Sequence, residues 1–288
     1  MKIDTSMWNA NDICNLEFCR TSFYIKKNYR LQPEPRNYFH AQVHHYINHD
    51  FWGKNYADAL TFSKGWKGHW NKAVKKKGGT LKFRPAAFIS PKDPVYIIGS
   101  YYTKGSRILL DFYEKNIWKK RENFLIDDPF KDLEVRLDGS GFRVKIDEMC
   151  MSDEGPYLID YNMTKSSPEE VAKHLKRDPK IIMMSMAFRE NYGKEEALAG
   201  KNLLRNGGRT VLAKITGDDH AEFAERLEKI NREMMYGDFP FSPRFGSHCR
   251  ECECFDHHWE LFPEDQEELS KIRKPGYKKP VMTGKNVD

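Results

Sequence analysis

The sequence is 288 residues long, 39% hydrophobic and 13% aromatic, enough for one large domain or two small ones with a substantial core. Its net charge of +6 permits a nucleic-acid partner without requiring one. No apolar run nears the roughly 18 residues of a membrane span, the polar start MKIDTSMWNAND lacks a signal-peptide core, and six cysteines in so long a chain do not make a secreted disulfide scaffold. A reducing cytoplasm is the expected setting, and there clustered cysteines point to metal.

Residues 8 to 30 read as a helix, with Ile13, Leu16, Cys19 and Phe23 along one face. A second helix is expected over Tyr38 to Phe51. It carries His40, His44, His45 and His49, and histidines four apart share a helix face. Most such histidines are solvated; one of them aimed at a metal site is a commoner arrangement than a dedicated multi-histidine site.

Residues 59 to 92 hold no Asp or Glu. They carry Lys64, Lys67, Lys72, Lys75, Lys76 and Lys77, with Trp66 and Trp70 interleaved. Cations for phosphate and flat rings for bases are the parts of a single-strand binding surface. A solvated helix and loop whose tryptophans belong to the core fits the same pattern equally well.

The second half of Tyr96 to Lys120 reads as a helix, and Leu133 to Leu137 alternates as a strand. Gly141 to Lys165 reads as a β-hairpin. Phe142, Val144 and Ile146 alternate with polar residues, Ser152 to Pro156 is turn chemistry, and Tyr157, Leu158 and Ile159 form a second strand. Each strand ends in an acid, Asp147 and Asp160, and pairing would set these side by side. Two close carboxylates stay ionised together only with a cation between them, and hard oxygen ligands suit Mg²⁺ or Mn²⁺. The plain alternative is a surface hairpin with two exposed acids.

Ser166 to Glu170 opens a helix expected to run to about Lys176. Asp178-Pro179 caps another, from Lys180 to Tyr192. Thr210 to Ile215 reads as a strand and Asp218 to Met235 as an amphipathic helix. Cys249, Cys252 and Cys254 then give C-x2-C-x-C, a strong metal signal, with His258 close behind. Cys14 and Cys150 read as small buried residues. The tail from Pro263 is charged and reads as flexible after a short helix.

Taken together, residues 8 to 260 resemble the RecB-type branch of the PD-(D/E)xK nuclease superfamily, in particular its iron–sulfur members, the AddB-like domains and CRISPR-associated exonucleases. Phe18-Cys19 followed by Phe23-Tyr24 is similar to the family's first helix, and Val43-His44 to its metal-facing histidine. Leu133-Glu134-Val135 matches a supporting acid strand. Arg143-Val144-Lys145-Ile146-Asp147 and Leu158-Ile159-Asp160-Tyr161-Asn162 match the two acid strands, except for Asn162. The resemblance implies an α/β fold with a restriction-endonuclease-like core, a small mixed sheet flanked by helices. It implies an N-terminal helical lobe and insert over 1–125, a catalytic sheet core over 126–216, a helix and cysteine clasp over 217–262, and a tail over 263–288. It further implies Mg²⁺ or Mn²⁺ on His44, Asp147, Asp160 and the Tyr161 carbonyl, with Glu134 in support. The substrate would be DNA, single-stranded in preference to duplex, and the protein could serve within a larger repair or CRISPR complex.

Two positions depart from the family. Asn162 stands where D-x-K has its lysine, while Lys180 stands where the next helix has a glutamine. The reciprocal exchange suggests a migrated cation; a decayed nuclease that kept its DNA groove is the rival reading, and a zinc-stapled interaction protein unrelated to nucleases a third. The resemblance also implies a 4Fe–4S cluster on Cys19, Cys249, Cys252 and Cys254; with His258 in place of Cys254 the site would suit Zn²⁺.

Overall fold

The computed structural model describes residues 7–29, 31, 35–76, 79–80, 94–121, 126–137, 140–152, 155–193, 197–236, 245–246, 249, 252 and 254–272. In chain order the elements are β1 (Met7–Asn9), α1 (Ala10–Phe18), α2 (Arg20–Asn28), α3 (Pro35–Tyr46), α4 (Ala59–Val74), β2 (Lys75–Lys76), β3 (Gly79–Thr80) and α5 (Pro94–Arg121). There follow β4 (Lys131–Leu137), β5 (Ser140–Ile146), β6 (Glu148–Ser152), β7 (Gly155–Asn162), α6 (Pro168–Ala172), α7 (Pro179–Tyr192), β8 (Leu198–Leu203), β9 (Arg209–Lys214), α8 (Gly217–Tyr236), α9 (Phe255–Leu261) and α10 (Gln266–Ile272). This is a mixed α/β architecture. Among the described residues, no helix is long and apolar enough to cross a membrane.

The chain forms two units that interleave in sequence. One is Met1–Cys14, Ile47–Phe62 and Ile108–Pro240; the other is Asn15–Tyr46, Ser63–Arg107 and Phe241–Asp288. Long helices such as α5 pass from one unit into the other.

The first unit is built on two sheets. β4 and β5 pair antiparallel, Leu133 opposite Val144 and Val135 opposite Phe142. These four side chains are buried while the intervening charged ones face water, as a two-residue period requires of a sheet covered on one face. β1 joins β5 in parallel, with Trp8 beside Phe142. At Ile146 the alternation stops: Ile146 through Cys150 are all buried. The chain turns a corner at Asp147, and β6 enters a second sheet of order β6-β7-β8-β9. The hairpin partner of β7 is therefore β6, not the strand ending at Ile146 as the sequence suggested. Asp153 and Glu154, at its expected turn, lie outside the described residues.

Helix α7 packs against β4, β5, β7 and β8. Every residue from Ile181 to Phe188 is buried, which explains its dense apolar composition. Asp178 caps its N-terminus as expected, and Gly193 ends it at φ 64°, the left-handed conformation that glycine adopts without a Cβ penalty. The helix opened by Ser167 has a full capping box with Glu170 but stops at Ala172; a 3-10 turn over Leu175–Arg177 takes its place up to Asp178.

In the second unit, α3, α4 and the first part of α5 share an aromatic core. Phe39 stacks on Tyr101 at 4.7 Å and Trp66 on Trp70 at 5.5 Å. The Trp66 Nε1 donates to the Tyr102 carbonyl at 3.1 Å. A Cβ on Gly105 would fall 2.3 Å from that same nitrogen, so the indole seat needs glycine there. The helix expected over residues 8–30 is broken at Cys19, whose extended backbone (φ −162°) makes it the N-cap of α2. The histidine helix is α3 continued by a π-turn over Ile47–Trp52. α2 packs on α9, with Tyr24 edge-on to Phe262.

Candidate active site and a cysteine-lined cavity

Asp147 follows the last residue of β5, and Asp160 lies within β7; both are buried, at 2% and 5% exposure. The Asp147 amide donates to the Ile159 carbonyl at 3.1 Å, stitching the corner to β7. The Asp147 Oδ2 in turn accepts the Tyr161 amide at 2.7 Å. Two buried acids thus flank one strand, so the reading as exposed surface carboxylates is wrong.

Lys180, in the first turn of α7, sets its ammonium on Asp160 Oδ1. Burial alone would lower the Lys180 pKa, but the Asp160 and Asp147 carboxylates outweigh it and push it up. The ammonium is therefore a cation held by the two acids singled out from sequence. Asn162 stays at the periphery of this pair. Its amide approaches Asp160 Oδ2 at 3.5 Å and its oxygen accepts the Thr164 amide at 2.8 Å, a local turn contact.

The remaining expectations fare differently. Glu134 is not gathered with the acids: it pairs with its cross-strand neighbour Arg143 at 3.1 Å on an exposed face of the other sheet. His44 is half-buried on α3, in the second unit. Trp66 and Trp70, proposed as base-stacking rings, are 0% and 2% exposed. They are core, because α4 buries its aromatic face against α3 and α5. Lys64, Lys67, Lys72 and Lys75 are exposed, Lys76 lies on β2, and Lys77 lies outside the described residues. A solvated cationic helix face remains; the aromatic half of the surface does not.

Sequence reasoning missed Glu148. It is 0% exposed, and its carboxyl group accepts from the Tyr161 hydroxyl at 2.8 Å and the Cys150 thiol at 3.1 Å. Burial and the neighbouring Glu148 raise the Tyr161 phenol well above its usual range, so it acts as a donor. Lys201 was also missed. It lies opposite Asp160 in the β7–β8 register, with its ammonium on Asp178.

The second unit contains a small cavity, about 20 Å³, lined by Phe18, Cys19, Ser22, Cys249, Cys252, Cys254, Phe255 and His258. Ser22 ties its parts together: its amide donates to Cys19 Sγ at 3.5 Å and its hydroxyl lies 3.4 Å from Cys254 Sγ. The Cys254 thiol, its amide, Lys26 and the Ser22 hydroxyl hold Cys252 below the usual thiol range, though burial opposes them. Burial raises Cys249. His258 stacks on Phe245, and its Nε2 is 2.6 Å from Asp265 Oδ2. Among the described residues, no group of three or more His, Cys, Asp or Glu side chains forms a ready site for a metal ion. Four cysteines lining one cavity nevertheless match the donor set of an iron–sulfur cluster; His258 lines the same cavity, and its Nε2 contact with Asp265 is of the kind a metal-binding histidine keeps on its other nitrogen.

No family model matches the chain, and no curated protein matches it. Among solved structures, a candidate exonuclease from Eubacterium rectale is similar at TM-score 0.46 and 11% identity, over 97% of this chain and 92% of that one. The structure of SSO0001 is similar at TM-score 0.33 and 11% identity, over 76% of this chain and 92% of that one. Likeness at that level assigns no activity to this chain.

Proposed function

We propose that the protein is a metal-dependent deoxyribonuclease of the PD-(D/E)xK type in which Lys180 supplies the charge that Asn162 lacks. The supporting observation is the buried Lys180–Asp160 ion pair beside Asp147. Asp147, Asp160 and the Tyr161 carbonyl would supply oxygen ligands. Bound there, Mg²⁺ or Mn²⁺ would lower the pKa of a coordinated water and neutralise the attacked phosphate. The Tyr161 amide fixes the plane of the Asp147 carboxylate. Lys180 stabilises negative charge building on the phosphate oxygens. Lys64, Lys67, Lys72 and Lys75 offer exposed cations for a DNA backbone. The implied activity is cleavage of single-stranded DNA or DNA ends, in repair, recombination or CRISPR-type processing, alone or within a larger complex. A 4Fe–4S cluster on Cys19, Cys249, Cys252 and Cys254 would serve as a structural staple.

The same ion pair favours one other reading. An ammonium on Asp160 neutralises the acid without any metal, as in a retired nuclease that still binds DNA. The test is incubation of anaerobically purified protein with end-labelled single- and double-stranded DNA, in Mn²⁺ and in EDTA, beside Asp160→Ala. Manganese-dependent cleavage lost in the variant is the expected result. Salt-sensitive binding by both proteins without cleavage would establish the retired form.

A further inference from the structure

Four charged groups form a chain along one face of the second sheet. Asp160 and Lys201 are opposite each other in parallel strands β7 and β8, and opposed residues share a sheet face. Lys201 nevertheless places its ammonium on Asp178 Oδ2. The other oxygen, Asp178 Oδ1, caps α7 by accepting the Lys180 amide at 3.0 Å and the Ile181 amide at 3.3 Å. Lys180 then extends from that first turn onto Asp160. The side chains of Asp160, Lys201, Lys180 and Asp178 are 7%, 16%, 18% and 21% exposed, so these pairs are sheltered from solvent screening.

We propose that Lys201 is a positioning residue for the Asp147–Asp160 site: by neutralising Asp178 it keeps that carboxylate from competing with Asp160 for the Lys180 ammonium. This rests on the reading of Asp147 and Asp160 as a cation site. Without Lys201, Asp178 becomes a second anionic acceptor two residues from Lys180. The ammonium then divides between Asp178 and Asp160. Asp160 is freed for a divalent cation, while the charge needed at the phosphate is drawn away. Cation binding and turnover should therefore move in opposite directions, which simple loss of structure would not produce.

The experiment titrates anaerobically purified protein, dialysed free of divalent cations, with Mn²⁺, reading free Mn²⁺ by electron paramagnetic resonance, with DNA cleavage measured in parallel. Lys201→Met is expected to bind Mn²⁺ roughly threefold more tightly or better, from the lost positive charge, yet to cleave about tenfold more slowly. Lys201→Arg should match wild type in both. Asp178→Asn combined with Lys201→Met should restore both, since asparagine still caps the helix but carries no charge; it also keeps the test decisive if the single variant folds poorly. Unchanged or weaker Mn²⁺ binding in folded Lys201→Met, without rescue in the double variant, would overturn the proposal. So would the absence of any Mn²⁺ binding that Asp160→Ala removes. The predicted shift in Mn²⁺ binding, in a wild type that cleaves nothing, would support the role of Lys201 while overturning the nuclease reading.

Discussion

The Tyr161 hydroxyl donates a 2.8 Å hydrogen bond to Glu148, a carboxyl group wholly closed to solvent. The Tyr161 amide donates to Asp147, so one residue of β7 grips two consecutive acids, one through its side chain and one through its backbone. Tyr161→Phe removes only the first grip. A buried acceptor that loses its donor costs about 1–3 kcal/mol. Urea unfolding of Tyr161→Phe should show that loss, with Asp160-dependent Mn²⁺ binding preserved. An undiminished stability would mean that Glu148 is satisfied without the phenol.

Lys180→Met should leave Asp160 a buried anion without its cation. Breaking such a pair costs roughly 3–5 kcal/mol in the metal-free protein. Mn²⁺ replaces the missing charge and binds the folded state alone, so it should raise the melting temperature of the variant more than that of wild type. Cleavage should fall about 10²-fold or more, the magnitude associated with losing one preorganised electrostatic group. Wild-type cleavage by Lys180→Met would remove it from the mechanism.

On the proposed 4Fe–4S reading, anaerobically purified protein absorbs visible light, and Cys19→Ser and Cys252→Ser should each abolish that absorption and lower the melting temperature, because a structural metal centre contributes directly to folding. His258→Ala should keep the colour, since the four cysteines alone complete the ligand set of the proposed cluster. Colour lost in His258→Ala and kept in Cys254→Ser would reverse the choice of fourth ligand.

A pH effect is expected away from both sites. His220 is buried, with Nε2 3.1 Å from Ser185 Oγ. Burial first, and then the Arg189 charge, lower its pKa below 6.5 in the fold, against a smaller pull from Asp219. The unfolded chain therefore takes up the proton first. Stability from this group is complete above pH 6.5 and declines as pH falls from there to the folded pKa. His220→Gln should remove that part of the decline in denaturant titrations between neutral and mildly acid pH. An identical slope in both proteins would assign it to other groups.

Particular residues show what the sequence could reveal. Asp178-Pro179 announced α7 because capping is local chemistry. The alternation of Phe142, Val144 and Ile146 gave β5. The corner at Asp147 was visible only as the end of that alternation, since strand partners are chosen by tertiary packing. Glu148 escaped notice because an acid is read as exposed unless a donor is known, and its donor lies on another strand. β8 was missed because Gly200, Lys201 and Asn202 have poor strand propensity; the strand exists through its pairing with β7 and β9. Trp66 and Trp70 fitted a binding surface and a core equally well until Gly105 and Phe39 supplied the packing.

The register of β1 carries a consequence for synthesis. Trp8 is buried beside Phe142 in the finished sheet, yet Phe142 is made long after it. At ribosomal speeds of about 5–20 residues per second, the first strand waits on the order of ten seconds for its neighbour. Through that interval the indole has no sheet to enter. The nascent chain therefore presents an apolar tryptophan before its sheet partner exists, a handle for a chaperone during translation and a point of vulnerability when none is at hand.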